Sequence, residues 1–315
     1  MLNSMSPTIA VAGAGAVGCY FGGMLARSGA RVTLIGRQPH VDAIAREGLR
    51  IDGVRVQERI PVRATTSLEE GVRDAGVVLF SVKTVRTESA ARELTPFLKP
   101  GAIVLSLQNG VDNVDRIYAA TGRRAIPAVV YVAVEMTAPG VVTHTGRGDL
   151  IVGHRSGWPR EIDLAALAAI FEKAEIPCRV SDSIETELWI KMVMNCAYNA
   201  ISALTRARYG RMVESPQIRS LMERAVEETV EVARAEGVPL PVAETMEAVY
   251  RLAGKMSGAR SSTAQDIARG RPTEIDSLNG YVARRGAALG IVTPVSEILA
   301  TLVKMLEDSA NSQAG

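Results

Sequence analysis

Gly13-Ala14-Gly15-Ala16-Val17-Gly18 follows directly on the apolar run Thr8-Ile9-Ala10-Val11-Ala12 and leads into a helical segment from Cys19 to Ser28. A lone G-x-G-x-x-G says little, but between a strand and a helix each glycine has a physical reading. The first lets the chain turn sharply out of the strand. The second lets backbone N–H groups approach a pyrophosphate. The third lets the helix pack close to the sheet, its positive end aimed at the phosphates. The alternative is a glycine-rich turn that holds nothing. Strand, helix and N-terminal position together favour dinucleotide binding.

The next strand bears on which dinucleotide. Arg31-Val32-Thr33-Leu34-Ile35 alternates, is β-branched and ends in Gly36-Arg37. An NAD site usually places Asp or Glu about 20 residues past the glycines, on the ribose 2′-hydroxyl. Arg37 stands there instead, and a guanidinium is a fork for a 2′-phosphate. NADP(H) is therefore favoured over NAD(H), with a solvated surface arginine as the alternative.

Working outward, the 315 residues with 47% hydrophobic content suit one large or two medium domains. A net charge of +2 and 4% aromatics give no field or stacking platform for nucleic acid and no basic face for a membrane. No apolar run approaches the ~20 residues of a membrane span. Met1 to Pro7 lacks a basic region and an apolar core, so no signal peptide is expected, and these residues read as a disordered leader. Cys19, Cys178 and Cys196 show no C-x-x-C spacing and read as buried thiols of a reducing, cytoplasmic compartment. His40, His144 and His154 form no metal-binding pattern, so no metal is expected. A nucleophile elbow is also absent.

The first half alternates strand and helix. After Arg37, a helix is expected over 41–47, then an alternating stretch over 49–63 with a hairpin turn at Asp52-Gly53. Strands follow at 76–82 and 102–107, around a single helix over 85–97, and a further helix runs through Ile117. Strands are then expected near 126–135, 140–145, 150–153 and 178–180, with a helix at 161–174. This is a doubly wound α/β pattern with antiparallel additions. From Ser183 the periodicity is purely helical: 184–205, 215–237 (capped by Ser215 with Pro216 behind it), 242–255, 273–289 and 294–307, then a frayed tail from Ser309. The boundary falls near Asp182.

The helix around Leu188–Asn199 is apolar on most of its circumference, which implies burial. Yet Glu187, Lys191, Asn195 and Asn199 recur every four residues, on one face that drifts ~40° per step. Buried polar groups need partners. The stripe faces either a polar pocket or a neighbouring helix, with Glu187–Lys191 as an i, i+4 pair in the second case; the pattern does not choose. In a site, the lysine would donate a proton to a carbonyl oxygen as hydride reaches its carbon, and the amides would hold substrate. A second cluster, Ser261 to Asp276, puts Glu274 in the first turn of an expected helix and Ser262 at a cap, where helix dipoles and caps alone account for both.

Taken together, these residues resemble the ketopantoate reductases (2-dehydropantoate 2-reductases) over nearly the whole length. The resemblance rests on G-A-G-A-V-G at 13–18, Arg37, Ser81-Val82-Lys83-Thr84, Gln108-Asn109-Gly110, L-W-I-K-M-V-M-N-C-A-Y-N from Leu188 to Asn199, and S-S-T-A-Q-D-I-A-R-G-R-P-T-E-I-D from Ser261 to Asp276. It implies an N-terminal Rossmann-type NADP-binding domain (1–182), a C-terminal all-helical substrate and catalytic domain (183–315), and an active site in the cleft between them. It implies Lys191 as proton donor and Glu274 as an acidic residue holding cofactor and substrate. Gly13, Ala14, Gly15, Ala16, Val17, Gly18, Arg37, Lys83, Asn109 and Ala133 would serve the cofactor, and Asn109, Asn195, Asn199 and Ser262 the substrate. Ala259 and Tyr209 depart from the family pattern, which can carry asparagine at both positions. The implied activity is NADPH-dependent reduction of 2-dehydropantoate in pantothenate synthesis. The alternatives are the same chemistry on another 2-oxo acid, or a catalytically silent NADP(H)-binding sensor. A homodimer is compatible with the helical half, and no sequence patch decides it.

Overall fold

The computed structural model describes residues 7–312. Most of the expected leader therefore lies outside the described residues. The chain divides into two compact units: one runs to Gln108 and resumes over Asp112–Ile184, and the other joins Asn109–Val111 to everything from Glu185 onward.

In the first unit, β1 (Thr8–Ala12), α1 (Ala16–Arg27), β2 (Arg31–Ile35) and α2 (Gln38–Glu47) follow in order. They lead to β3 (Leu49–Gly53), β4 (Gln57–Ile60), β5 (Arg63–Thr65), α3 (Leu68–Val72), β6 (Val77–Phe80), α4 (Thr87–Leu94), β7 (Ile103–Ser106) and α5 (Asn113–Thr121). The unit closes with β8 (Ile126–Ala138), β9 (Val141–Gly153), α6 (Leu164–Lys173) and β10 (Cys178–Ser181). The strand order is β4-β3-β9-β8-β7-β6-β1-β2-β5, with β10 on β9. From β5 to β7 every pairing is parallel. Of these, β1, β6 and β7 are buried on both faces, which explains why they read as apolar runs. β1 lies between β2 and β6, so the chain leaves its C-terminal end at the point where strand order reverses. Doubly wound sheets bind their ligands at that point.

Several expectations are corrected. The hairpin turn does not sit on Asp52-Gly53: Asp52 still pairs with Gln57, Gly53 with His144, and the Gly53 N–H donates to Val56 O, so the turn falls over Val54 and Arg55. The helix over 85–97 is α4 flanked by 3₁₀ turns at Thr84–Arg86 and Thr95–Phe97. Pro96 lies in the second turn, and its missing N–H disfavours an α-helical continuation. The separate strands 140–145 and 150–153 are one strand, β9. Gly146-Arg147-Gly148 is absorbed as an irregularity in its antiparallel pairing with β8, Arg147 taking φ 53°. The short helix α3, capped by Ser67, was not anticipated.

In the second unit, α7 (Ile184–Thr205) is the long helix that the periodicity predicts. It is followed by α8 (Tyr209–Glu214), α9 (Pro216–Ala235), α10 (Val242–Lys255), α11 (Ser262–Ala268), α12 (Asn279–Leu289) and α13 (Pro294–Ser312). Trp189, Met192, Val193, Cys196, Ala197 and Ile201 of α7 pack with Met222, Val226 and Val230 of α9 in one core. As expected, Ser215 caps α9. The helices α8 and α11 were not foreseen. The expected helix from 273 starts only at Asn279, after a 3₁₀ turn at Ile275–Ser277, so Glu274 precedes that turn rather than sitting in a helix. α13 continues through Ser312 where a tail was expected from Ser309.

Candidate active site

The glycine loop is built as its sequence suggests. Gly13 has φ +109°, and a Cβ there would lie 2.8 Å from Ser81 C and Val82 N. A Cβ on Gly18 would come within 2.2 Å of Gly13 O. These two glycines are required by the packing of β1, β6 and α1. Gly15 is different: it is exposed, and nothing lies within 4 Å of the place where its Cβ would be. The protein itself does not need a glycine there, whereas a pyrophosphate brought against the backbone does. Gly15 is the N-cap of α1, with no side-chain cap and no acidic residue in the first turn. The positive end of the helix is therefore left for an outside anion.

Ser81 was quoted in the sequence without a role. Its hydroxyl donates to Gly13 O at 2.8 Å, and its N–H to Ala12 O at 2.9 Å, pinning the loop to the end of β6. Gln108 is also structural: its buried amide donates to Val82 O at 3.0 Å and to Thr87 Oγ1 at 2.8 Å, while Ser106 donates to its Oε1. A polar residue closing an apolar strand was the one available signal for both. Lys83, exposed, stands at the head of the 3₁₀ turn that follows β6. At the end of β2, Gly36 passes so close to Ala14 that a Cβ would lie 2.7 Å from the alanine's own. Arg37 is thereby set beside the glycine loop. Its side chain is exposed, and its guanidinium makes no hydrogen bond or ion pair among the described residues. Ala133 is half-buried in β8, opposite Gly146.

The second unit holds the polar stripe. Lys191 and Asn195 are half-buried on α7, and Asn199 is 3% exposed. The side-chain amides of Asn195 and Asn199 make no hydrogen bond to any described residue. Amides on a largely buried helix face without a partner among the described residues favour a ligand or bound water over a closed structural network. Ser261 sets the neighbouring segment: its buried hydroxyl donates to Asn199 O at 3.0 Å and accepts the Ala264 N–H at 3.0 Å. Ser261 is thus the cap of α11, and Ser262, expected at the cap, is its first residue and exposed. The same contact ties the start of α11 to the backbone of α7 at Asn199. Asn109 joins this unit, and its Nδ2 donates to Glu274 Oε2 at 2.9 Å.

The two departures meet each other. The Tyr209 N–H donates to Ala259 O at 3.0 Å, and the Tyr209 ring packs on Tyr198 with centroids 4.3 Å apart. Tyr198 donates its hydroxyl to Val249 O at 2.7 Å. Burial pushes both phenols far above their ordinary range. Among the described residues no group of His, Cys, Asp and Glu is placed to hold a metal, and no helix is long and apolar enough to cross a membrane.

Residues 9–157 match the family described as ketopantoate reductase PanE/ApbA, and residues 183–307 match the C-terminal part of the same family. The chain belongs to the ketopantoate reductase family. It is an oxidoreductase. A relative from Pyrococcus abyssi, a 2-dehydropantoate 2-reductase, is 33% identical over 94% of this chain and 96% of its own. A PanE/ApbA family ketopantoate reductase from Ralstonia eutropha JMP134 is 46% identical, with a TM-score of 0.89 over 96% of this chain and 99% of that one. A D-mandelate dehydrogenase, solved with NADH and anilino(oxo)acetate, is 26% identical, also with a TM-score of 0.89, over the same shares of the two chains. The family reading of the sequence and its two-part fold class, a Rossmann-type sheet followed by an all-helical part, are borne out by these likenesses. The substrate and the choice between NADPH and NADH are separate questions.

Proposed function

We propose that this chain reduces 2-dehydropantoate to pantoate with NADPH, in pantothenate synthesis. Residues 1–182 hold the cofactor, and residues 183–315 supply the substrate-binding and catalytic side chains. The observation that carries the reading is the α7 stripe, where two amides without a partner among the described residues, Asn195 and Asn199, follow Lys191 at one-turn intervals.

The glycine loop fits a pyrophosphate, because Gly15 leaves open the space that a side chain would fill. Arg37 offers a guanidinium for a ribose 2′-phosphate, and Lys83, Asn109 and Ala133 line the rest of the cofactor. NADPH supplies a hydride to the ketone carbon. As that carbon is reduced, negative charge grows on the ketone oxygen; Lys191 stabilises it and donates a proton from Nζ. Asn195, Asn199 and Ser262 hold the carboxylate and hydroxyl of the substrate. Glu274 keeps Asn109 turned toward cofactor and substrate. The three free, buried thiols suit the reducing cytoplasm in which we place this chemistry.

A second reading keeps the chemistry and changes the 2-oxo acid. It is favoured by Ala259, which offers no hydrogen-bonding side chain, by Tyr209, whose ring is packed on Tyr198, and by the likeness to a D-mandelate dehydrogenase.

The test is NADPH oxidation at saturating 2-dehydropantoate for the wild type and Lys191→Ala. Turnover by the wild type, with a loss of about 10³-fold or more in kcat for a variant that still binds NADPH, supports the reading. If the wild type binds NADPH and ignores 2-dehydropantoate but reduces benzoylformate, the second reading replaces the first.

A further inference from the structure

Glu274 stands on backbone that belongs to no helix or strand. Between α11 and the 3₁₀ turn at Ile275–Ser277 the chain passes Gly270, at φ +58°, and Pro272. A side chain on such a segment keeps its aim only if other groups fix the backbone on either side of it. Thr273 and Ile275 are buried, and Glu274 between them is half-buried. The alternation turns its carboxylate away from the core, where it accepts from Asn109 Nδ2 at 2.9 Å.

Both sides of Glu274 are fixed, and by the same helix. Before it, Glu307 of α13 accepts the Thr273 N–H at 2.6 Å. The Glu307 side chain is only 10% exposed, so this charge-assisted bond is shielded from water. After it, Lys304 of α13 bonds Asp276 Oδ2 at 2.7 Å, and Arg284 of α12 donates to Asp276 O at 2.7 Å. Lys304 also lies 3.3 Å from Glu307 Oε2, which links the two tethers. An ordinary i, i+3 pair on a helix surface would account for Lys304 with Glu307 alone. The bonds to Thr273 and Asp276 reach off the helix, to the residues that flank Glu274.

We propose that Glu307 and Lys304 are positioning residues: from the C-terminal half of α13 they grip the chain on both sides of Glu274 and hold its carboxylate on Asn109 for the reduction. The proposal rests on the role given to Glu274 above. Glu307 and Lys304 act through Glu274 and need no contact with substrate.

The experiment joins a spectroscopic measurement to a kinetic one, both on the full chain. The Asn109 side-chain amide signals in a proton–nitrogen correlation spectrum, identified by their loss in Asn109→Ala, report the bond to Glu274 with no substrate present. Glu307→Ala is expected to move them toward their position in Glu274→Ala, and to lower kcat/KM for 2-dehydropantoate about tenfold. Glu307→Gln still offers an oxygen to the Thr273 N–H, so it should return both readings close to the wild type. Lys304→Met leaves that N–H its acceptor. It should keep the melting temperature within about 2 °C and move the same signals part of the way, which tests the grip even if Glu307→Ala does not fold. In a Glu274→Ala background, Glu307→Ala should lower kcat/KM by less than about twofold further. Amide signals that stay in place in the folded variants overturn the proposal, as does a tenfold loss that recurs undiminished without Glu274. The underlying reading fails separately: if Glu274→Ala turns over like the wild type, or the wild type ignores 2-oxo acids, Glu274 loses its role, while the amide signals still decide whether α13 holds it.

Discussion

Asn109 and Glu274 lie 165 positions apart in the chain, and one hydrogen bond from Asn109 Nδ2 to Glu274 Oε2, 2.9 Å long, joins them. Asn109 follows the end of β7, yet it packs with the helical unit, so the bond lies within that unit. Because the carboxylate accepts only, it fixes which end of the amide turns toward it and which turns away. A charge-assisted bond of this kind contributes about 1.5–3 kcal/mol. Glu274→Gln is expected to lower kcat/KM by about 10–100-fold, with the melting temperature nearly unchanged. Asn109→Ala should cost a similar amount. In the double variant the losses should fall short of the product of the singles; a cycle with no coupling would show that the two side chains act separately.

The three glycines of the loop are not equivalent. An alanine at 13 or 18 must push backbone aside, against Ser81 and Val82 in one case and Gly13 O in the other. Gly13→Ala and Gly18→Ala are therefore expected to destabilise the protein by about 2–4 kcal/mol, visible as a clear drop in melting temperature. Gly15→Ala meets open space, so it should leave the melting temperature within about 2 °C and weaken NADPH binding by tenfold or more. Calorimetry and fluorescence titration of the same variants separate the two effects. Equal destabilisation at all three positions would remove the argument that Gly15 serves a ligand.

The contrast among these glycines shows how far a sequence can be read. The parallel strands were legible because burial on both faces leaves runs such as Val77–Phe80 with no polar residue. α11 was not legible: seven residues carry under two turns of periodicity. Glu274 was misplaced because Pro272-Thr273 resembles a helix start. The Thr273 hydroxyl does accept the Ile275 N–H at 3.2 Å, but it closes only a 3₁₀ turn, and Leu278 leaves helical geometry before α12 begins. The α7 stripe was visible from its spacing of four. Its state was not, because whether Asn195 and Asn199 meet a partner among the described residues depends on what the rest of the unit brings near. The same holds for the Asn109–Glu274 bond, which no local pattern encodes.

Arg37 gives the sharpest test of cofactor choice. Its guanidinium is exposed beside the loop, and no described residue competes with a phosphate for it. Arg37→Ala should raise KM for NADPH by about 10–100-fold, the worth of one or two charge-assisted hydrogen bonds, and leave KM for NADH nearly unchanged. Steady-state kinetics with both cofactors decides. An equal rise for both would mean that Arg37 does not meet the 2′-phosphate, and would favour NADH, with which the D-mandelate dehydrogenase that this chain resembles was solved.

The buried thiols predict an alkaline limit to stability. Burial pushes Cys19, Cys178 and Cys196 from an ordinary value near 9 up to about 12. For Cys178 the nearby Glu172 carboxylate adds to the effect. In the folded protein the thiols hold their protons where the unfolded chain has lost them. Their contribution to stability is therefore complete below about pH 8.5 and is lost as pH rises toward 12. Each thiol adds a slope of about 1.4 kcal/mol per pH unit in that window. Urea unfolding midpoints should be flat from pH 7 to 8.5 and fall steeply above pH 9. At pH 8 a disulfide-exchange reagent should find no reactive thiol in the native protein and three in denaturant, because the thiolate is the attacking species. Replacing Cys196, which lies against Thr229 in the helical core, with alanine should lessen the alkaline slope while lowering stability at neutral pH. A native protein that titrates thiols readily at pH 8 would show that the helical and sheet cores open far more often than their burial implies.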